Sequence, residues 1–461
     1  MRYVSTRGVA PELGFGDVLL EGLARDGGLY VPTGASAQLG GSGVDGEPGP
    51  IPPYVELAAT VMAPFVVPDI VAARFAEIVA DAYTTFDHPD VVPLVELGDG
   101  IWVQELFHGP TLAFKDVALQ LVGRLMDDEL ARRDERRTIV VATSGDTGSA
   151  AIDACVGRDR LSIVVLHPAG RTSEVQRRQM TTVDAPNVTN VAVEGTFDDC
   201  QDLVKAMFAH EAFRDELRLG AMNSINWGRV LAQIPYHVAA AAQLGRCVVS
   251  VPSGNFGNVL AGWYAARLGA PIERFVVATN RNDILARWVA RGDLVAEPVV
   301  ATLSPSMDIQ VSSNHERLLF ELLGRDGTAT AELLGRFRAT GSVEAPRDPA
   351  FVAARLDDVE TLAEIARVHE ETGMLVDPHT AIGIGAARRA RATGAVDPSL
   401  PVVCMATAHP AKFPDAVETA TGIRPPLPAR LADLYDRPER YEVVAAHLES
   451  VQELVRVNVA R

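Results

Sequence analysis

The chain has 461 residues, a formal charge of −18 and 48% hydrophobic residues, enough to bury more than one domain's worth of core. Its acidity and lack of basic–aromatic clusters argue against a nucleic-acid surface, and no apolar run reaches the roughly 18 residues of a membrane span. The start, Met1 to Gly8, has no signal-like apolar core, and the four cysteines are scattered, so a soluble cytoplasmic protein with buried thiols is expected.

The pattern predicts a Gly/Pro/Ser-rich surface loop over Gly34–Pro53, then helical periodicity from Tyr54 to about Tyr83. A hairpin is expected over 91–106, turning at Gly98-Asp99-Gly100. A helix should run from Lys115 to about Arg133, followed by strands at 138–142, 161–166, 188–193, 247–251, 275–278 and 401–406 with helices between most of them. That alternation predicts α/β sheets with helices on both faces. Residues 326–357 read as an unpatterned surface excursion, and 441–457 as an amphipathic helix.

Three of the predicted strands end in a small-residue loop that opens a helix or turn: Thr143 to Ala150, Pro252 to Val259, and Thr407 to Pro410. Loops of this kind lie beyond the carboxyl ends of strands, where open α/β sheets bind ligands, and their free amides attract anions. No Gly-Lys-Ser/Thr triplet occurs. The single G-x-G-x-x-G match, Gly41 to Gly46, has no strand before it.

The lysines are the most informative residues. There are three, Lys115, Lys205 and Lys412, among 42 basic residues. Only an amine can shed its proton and attack a carbonyl, which guanidinium does not do. Lys205 falls on the wet side of a helix beginning after Thr196, beside Asp202. Lys115 and Lys412 lie in His108-Gly109-Pro110-Thr111-Leu112-Ala113-Phe114-Lys115-Asp116 and Thr407-Ala408-His409-Pro410-Ala411-Lys412, which no amphipathic element explains. The backbone and side chains of Ser253-Gly254-Asn255-Phe256-Gly257-Asn258 suit a phosphate, and Ser144, Thr147 and Ser149 a smaller anion such as a carboxylate. A hydroxyl at Thr407 could bond a pyridine nitrogen without protonating it. His108 and His409 read as loop histidines rather than catalysts. A reactive lysine, a phosphate loop and an anion loop together suggest pyridoxal 5'-phosphate.

These four stretches, in this order, resemble threonine synthases of the longer type with an N-terminal domain. Tyr3 to Gly8, Asp26 to Pro32, Met307 to Asn314 and Asp377 to Ala381 are also similar to the family, so the resemblance covers nearly the whole chain. His315 stands where an aromatic is expected, and 34–53 is longer and richer in glycine. The resemblance implies a type II pyridoxal-phosphate fold, two α/β lobes with the cofactor in their cleft. Its expected divisions are an N-terminal domain over 1–92, a catalytic region over 93–430 and a helical tail over 431–461. The implied reaction converts O-phospho-L-homoserine and water into L-threonine and phosphate, with no metal, and leaves the oligomeric state open. Lys115 would hold the cofactor and shuttle protons. Gly254, Asn255, Phe256 and Asn258 would contact the cofactor phosphate, and Thr407 the pyridine nitrogen. Ser144, Thr147 and Ser149 would take the substrate carboxylate and Lys412 the substrate phosphate. Two rivals stay open here: another type II enzyme, such as a serine or threonine dehydratase or a cysteine synthase, and a non-catalytic phosphate-ligand binder that has kept the fold.

Overall fold

A computed structural model describes residues 1–34 and 51–459. Most of the Gly/Pro/Ser-rich stretch, and the Gly41–Gly46 match within it, therefore lies outside the described residues.

Two sheets carry the molecule. The first has six strands in the order Phe351–Arg355, Ile272–Thr279, Cys247–Pro252, Val402–Ala406, Ile101–Glu105 and Leu94–Gly98. All are parallel except the last, which is the outer arm of the expected hairpin. The second has five parallel strands: Glu442–Ala445, Val188–Glu194, Leu161–Pro168, Arg137–Ala142 and Leu219–Gly220. The buried strands read as continuous apolar runs, as in Cys247-Val248-Val249-Ser250-Val251-Pro252, because helices cover both faces. This is the expected α/β architecture.

Two local expectations are corrected. The 326–357 segment is ordered: it forms a helix over Gly327–Thr340, capped by Asp326, and supplies the edge strand Phe351–Arg355. A five-residue edge strand in which only Phe351 and Ala354 are buried leaves little periodicity to read. The tail is not helical from 441. Glu442–Ala445 adds an edge strand to the second sheet, and the helix begins at Leu448. The 54–83 stretch divides into helices Tyr54–Val66 and Ala72–Tyr83. The N-terminal strands Tyr3–Ser5 and Tyr30–Pro32 pair antiparallel. They are joined to the body through Arg317, whose Nε donates to Tyr30 O, and Glu316, which accepts from Thr6 and Arg7.

Three adjacent strands of the first sheet, 101–105, 402–406 and 247–252, end on the same side. Their loops carry Lys115, Thr407 and Gly254. Among the described residues all four cysteines are free and buried, and no helix is long and apolar enough to cross a membrane.

Candidate active site

Lys115 is the first residue of the Lys115–Arg133 helix. The loop before it is pinned to the Thr407 loop: Phe114 N donates to Thr407 O at 2.9 Å, and His409 N donates to Leu112 O at 3.0 Å. Asp116, fully buried, holds the same loop from inside, accepting from Thr111 N at 2.8 Å and Thr111 Oγ1 at 2.6 Å. Leu112 is left-handed, with φ of 63°, a conformation a branched side chain keeps only where such contacts impose it.

Asp146 is the centre of the cluster. Lys115 Nζ lies 3.1 Å from its Oδ2, Lys412 Nζ 2.9 Å from its Oδ1, and Gln176 Nε2 donates to Oδ1 at 2.8 Å. Two cations hold this carboxyl well below the usual carboxylate range despite its burial. Burial pushes the Lys115 amine down, Asp146 opposes that, and Lys412 and Arg229 push the same way as burial. An amine so placed gives up its proton more readily than a surface lysine. Sequence reasoning passed over Asp146 because a carboxylate cannot bind an anion; its task here is to hold lysines.

Lys412 is completely buried, and its ammonium also donates to Thr111 O at 2.7 Å. Lys205 is exposed and bonds Asp202 at 2.8 Å, as its helix face predicted. Arg229, missed at the sequence level, is 4% exposed in the helix Trp227–Leu231. Its Nε and Nη1 have no partner, and it forms no ion pair among the described residues. Burial pushes it down to about 10. The only sequence signal for it was an arginine set between Trp227-Gly228 and Val230-Leu231.

The Gly254 loop presents a row of donors. Among the described residues the amides of Gly254, Asn255, Phe256, Gly257 and Asn258 donate to no protein acceptor, whereas the carbonyls of Gly254 and Asn255 are taken by Ser312 Oγ at 2.6 Å and Asn314 N at 3.1 Å. Fixing the carbonyls on one side leaves the amides for a ligand on the other, at the start of the Gly257–Arg267 helix. Phe256 is left-handed, φ 63°, with its ring buried against His315 and Trp288 at centroid distances of 5.2 and 6.3 Å. His315 thus fills an aromatic slot and keeps no charge, since burial pushes it down to about 3. A Cβ on Gly254 would lie 2.5 Å from Ser306 O. That backbone is itself held, because Ser306 N donates to His379 Nε2 at 3.3 Å and His379 Nδ1 pairs with Asp377 at 2.6 Å. Unpaired amides at a helix start, a glycine no side chain can replace and a buried amine with a lowered affinity for its proton fit a phosphorylated aldehyde such as pyridoxal phosphate.

In the second sheet's loop, Thr143 Oγ1 accepts from Gly145 N and Gly148 N at 2.9 and 3.0 Å, leaving the amides of Ser144, Asp146 and Thr147 free of protein acceptors. Ser144 is exposed and Thr147 half-buried, while Ser149 is buried with its hydroxyl donated to Asp146 O at 3.2 Å. Thr407 lies just beyond the Val402–Ala406 strand, 6% exposed, its hydroxyl bonded to no protein group among the described residues.

Three family models match: "Threonine synthase N terminus" over 2–83, "Pyridoxal-phosphate dependent enzyme" over 90–408, and "Threonine synthase, C-terminal" over 380–455. A threonine synthase of Pseudomonas aeruginosa is 52% identical across 99% of this chain and 98% of that protein. The crystal structure of a pyridoxal-phosphate-bound threonine synthase from Brucella melitensis superposes with a TM-score of 0.95 at 49% identity, covering all of both chains. The yeast threonine synthase structure gives 0.92 at 36% identity, covering 100% of this chain and 99% of that one. Sequence, fold and the chemistry of the cleft agree, and the chain belongs to the threonine synthase family of pyridoxal-phosphate-dependent enzymes.

Proposed function

We propose that this cleft converts O-phospho-L-homoserine and water into L-threonine and phosphate, with Lys115 as the residue that carries the cofactor and moves the protons. The observation that carries this reading is the buried pair of Lys115 and Lys412 on one carboxylate, Asp146, with the buried Arg229 near enough to push the Lys115 amine down, in a chain of net charge −18. A substrate with a phosphate leaving group needs fixed local cations in such a field.

When bound, the cofactor supplies a conjugated ring that takes up the electron pair left at the substrate carbons. The chain's own residues do the rest. The amides of Gly254, Asn255 and Phe256, with Asn258, hold the cofactor phosphate. Thr407 Oγ1 meets the ring nitrogen without adding a charge. The free amides of Ser144 and Thr147 and the hydroxyls of Ser144, Thr147 and Ser149 orient the substrate carboxylate. The Lys115 amine takes the proton from Cα and returns protons to later carbons, while Asp146 keeps it in place. The phosphate leaves from Cγ and the water oxygen ends on Cβ. Lys412 provides positive charge for the phosphate, and Arg229, the cation with unused donors, is the group able to bond it directly. In the same reading the chain divides into an N-terminal domain over 1–92, a catalytic region over 93–430 and a tail over 431–461.

Purified protein should absorb visibly, release phosphate from O-phospho-L-homoserine and form threonine. Borohydride reduction of the loaded enzyme should label Lys115, and Lys115→Ala should abolish the label. A colourless protein, or label on Lys412, would overturn the assignment. Dehydratase activity on serine or threonine without phosphate release would favour the other type II reading.

A further inference from the structure

His237 lies in the helix Ile234–Leu244, fully buried, where that helix packs on Gly257–Arg267. Its Nε2 is 3.0 Å from the main-chain oxygen of Asn258 and 2.9 Å from Asn258 Oδ1. A main-chain oxygen can only accept, so Nε2 carries the hydrogen. Nδ1 has no partner and faces Gly262, where an added Cβ would come within 3.2 Å of it. Burial pushes the ring down to about 4, so it is neutral near pH 7.

With Nε2–H as donor, the oxygen of the Asn258 carboxamide must face His237 and its NH₂ must face away. That Nδ2 is buried and has no acceptor among the described residues. A buried donor left unpaired is costly, so it points to a partner the chain does not supply. Asn258 follows directly on the row of free amides at the start of its helix. The opposite orientation of the amide would turn an oxygen lone pair toward a phosphate and repel it.

We propose that His237 is a positioning residue for cofactor binding: its Nε2–H fixes the Asn258 carboxamide so that the NH₂ is offered to the cofactor phosphate. The inference rests on the reading of the Gly254–Asn258 loop as the phosphate site.

The test compares pyridoxal 5'-phosphate with pyridoxal, which lacks the phosphate, by titration of the full-length chain freed of cofactor. His237→Phe keeps a ring and loses the donor. It should weaken pyridoxal 5'-phosphate about tenfold, the effect of one lost bond to a charged group, and leave pyridoxal within about twofold. His237→Gln, which can place an amide donor near the Nε2 position, should restore most of the preference. His237→Met serves the same comparison if the Phe variant does not fold. Equal weakening of both ligands, no change in either, or a Gln variant as poor as the Phe variant would each overturn the proposal. Asn258→Ala separates the two levels. If it erases the preference while His237→Phe keeps it, the phosphate reading stands and His237 is only packing. If Asn258→Ala also keeps the preference, the role of Asn258 in the phosphate site fails, and the inference with it.

Discussion

Lys115 was legible from its rarity and its setting, but its chemical state was not, because that state is set by groups distant in the sequence. Asp146 and Lys412 come from different sheets' loops, and Arg229 from a short helix. The same holds for Lys412. Its loop marked it as a candidate phosphate cation, yet complete burial and bonds to Asp146 and Thr111 leave it less free than Arg229. Steady-state kinetics distinguish their roles. Lys412→Met should lower kcat at least tenfold, because Asp146 and the Thr111 loop lose their shared cation, with a smaller effect on KM. Arg229→Met should raise KM and lower kcat together, the mark of a contact that strengthens as the C–O bond breaks. If both constants stay within about twofold in either variant, a change of roughly 0.4 kcal/mol, that residue is not in the phosphate site. Asp116 offers a pH test. Burial pushes it up to about 6 from an ordinary 3.8. Between those values the folded state binds the proton and the unfolded state does not, so this group's contribution to stability falls as pH rises from about 4 to 6. Asp116→Asn cannot titrate. The parent's unfolding midpoint should therefore lose ground to the variant over that interval, by a span on the order of 3 kcal/mol. A pH-independent difference would refute the shift.

The elements show where pattern reading works. The Thr196 cap was readable because its partner is three residues away: Thr196 Oγ1 accepts from Asp199 N at 3.2 Å, and Asp199 answers to Thr196 N at 2.7 Å. Thr196→Ala should cost about 1 kcal/mol in unfolding measurements and leave activity unchanged, since the helix packs on the face of the second sheet opposite to the Lys115 helix. The Gly254 loop was readable as an anion site from its composition, but the reason Gly is required there comes from the backbone of Ser306. Gly254→Ala already places a Cβ 2.5 Å from Ser306 O, so the loop must shift. Affinity for pyridoxal phosphate should fall by more than in Asn258→Ala, where a single donor worth roughly 1–3 kcal/mol is lost. Equal affinities for parent and both variants would reduce the loop to a turn. The edge strands Phe351–Arg355 and Glu442–Ala445 escaped notice for the opposite reason. Their pairing is with strands 76 and 251 positions away, and half-exposed edges carry little apolar alternation.

At the scale of the molecule, Glu316 works beside Arg317 to tie the N-terminal strands to the body. Glu316 is 7% exposed and accepts from Thr6 at 2.6 Å and from Arg7 Nη2 at 3.1 Å. It lies two residues beyond Asn314, whose amide fixes the Asn255 carbonyl. Glu316→Ala leaves a largely buried guanidinium unpaired and should cost about 3 kcal/mol or more, with earlier proteolysis near residues 1–34. Unchanged proteolysis and stability would show that apolar packing alone anchors that segment. Period, loop chemistry and lysine scarcity are short-range properties, and they were enough for the α/β class, the central strands and the four loops that carry the chemistry. The three-dimensional arrangement alone decided that Asp146 joins two lysines, that Arg229 keeps its donors free and that His237 sets the face of Asn258. Each of those depends on contacts between residues tens to hundreds of positions apart, and on burial, which determines whether a charge or a donor goes unanswered.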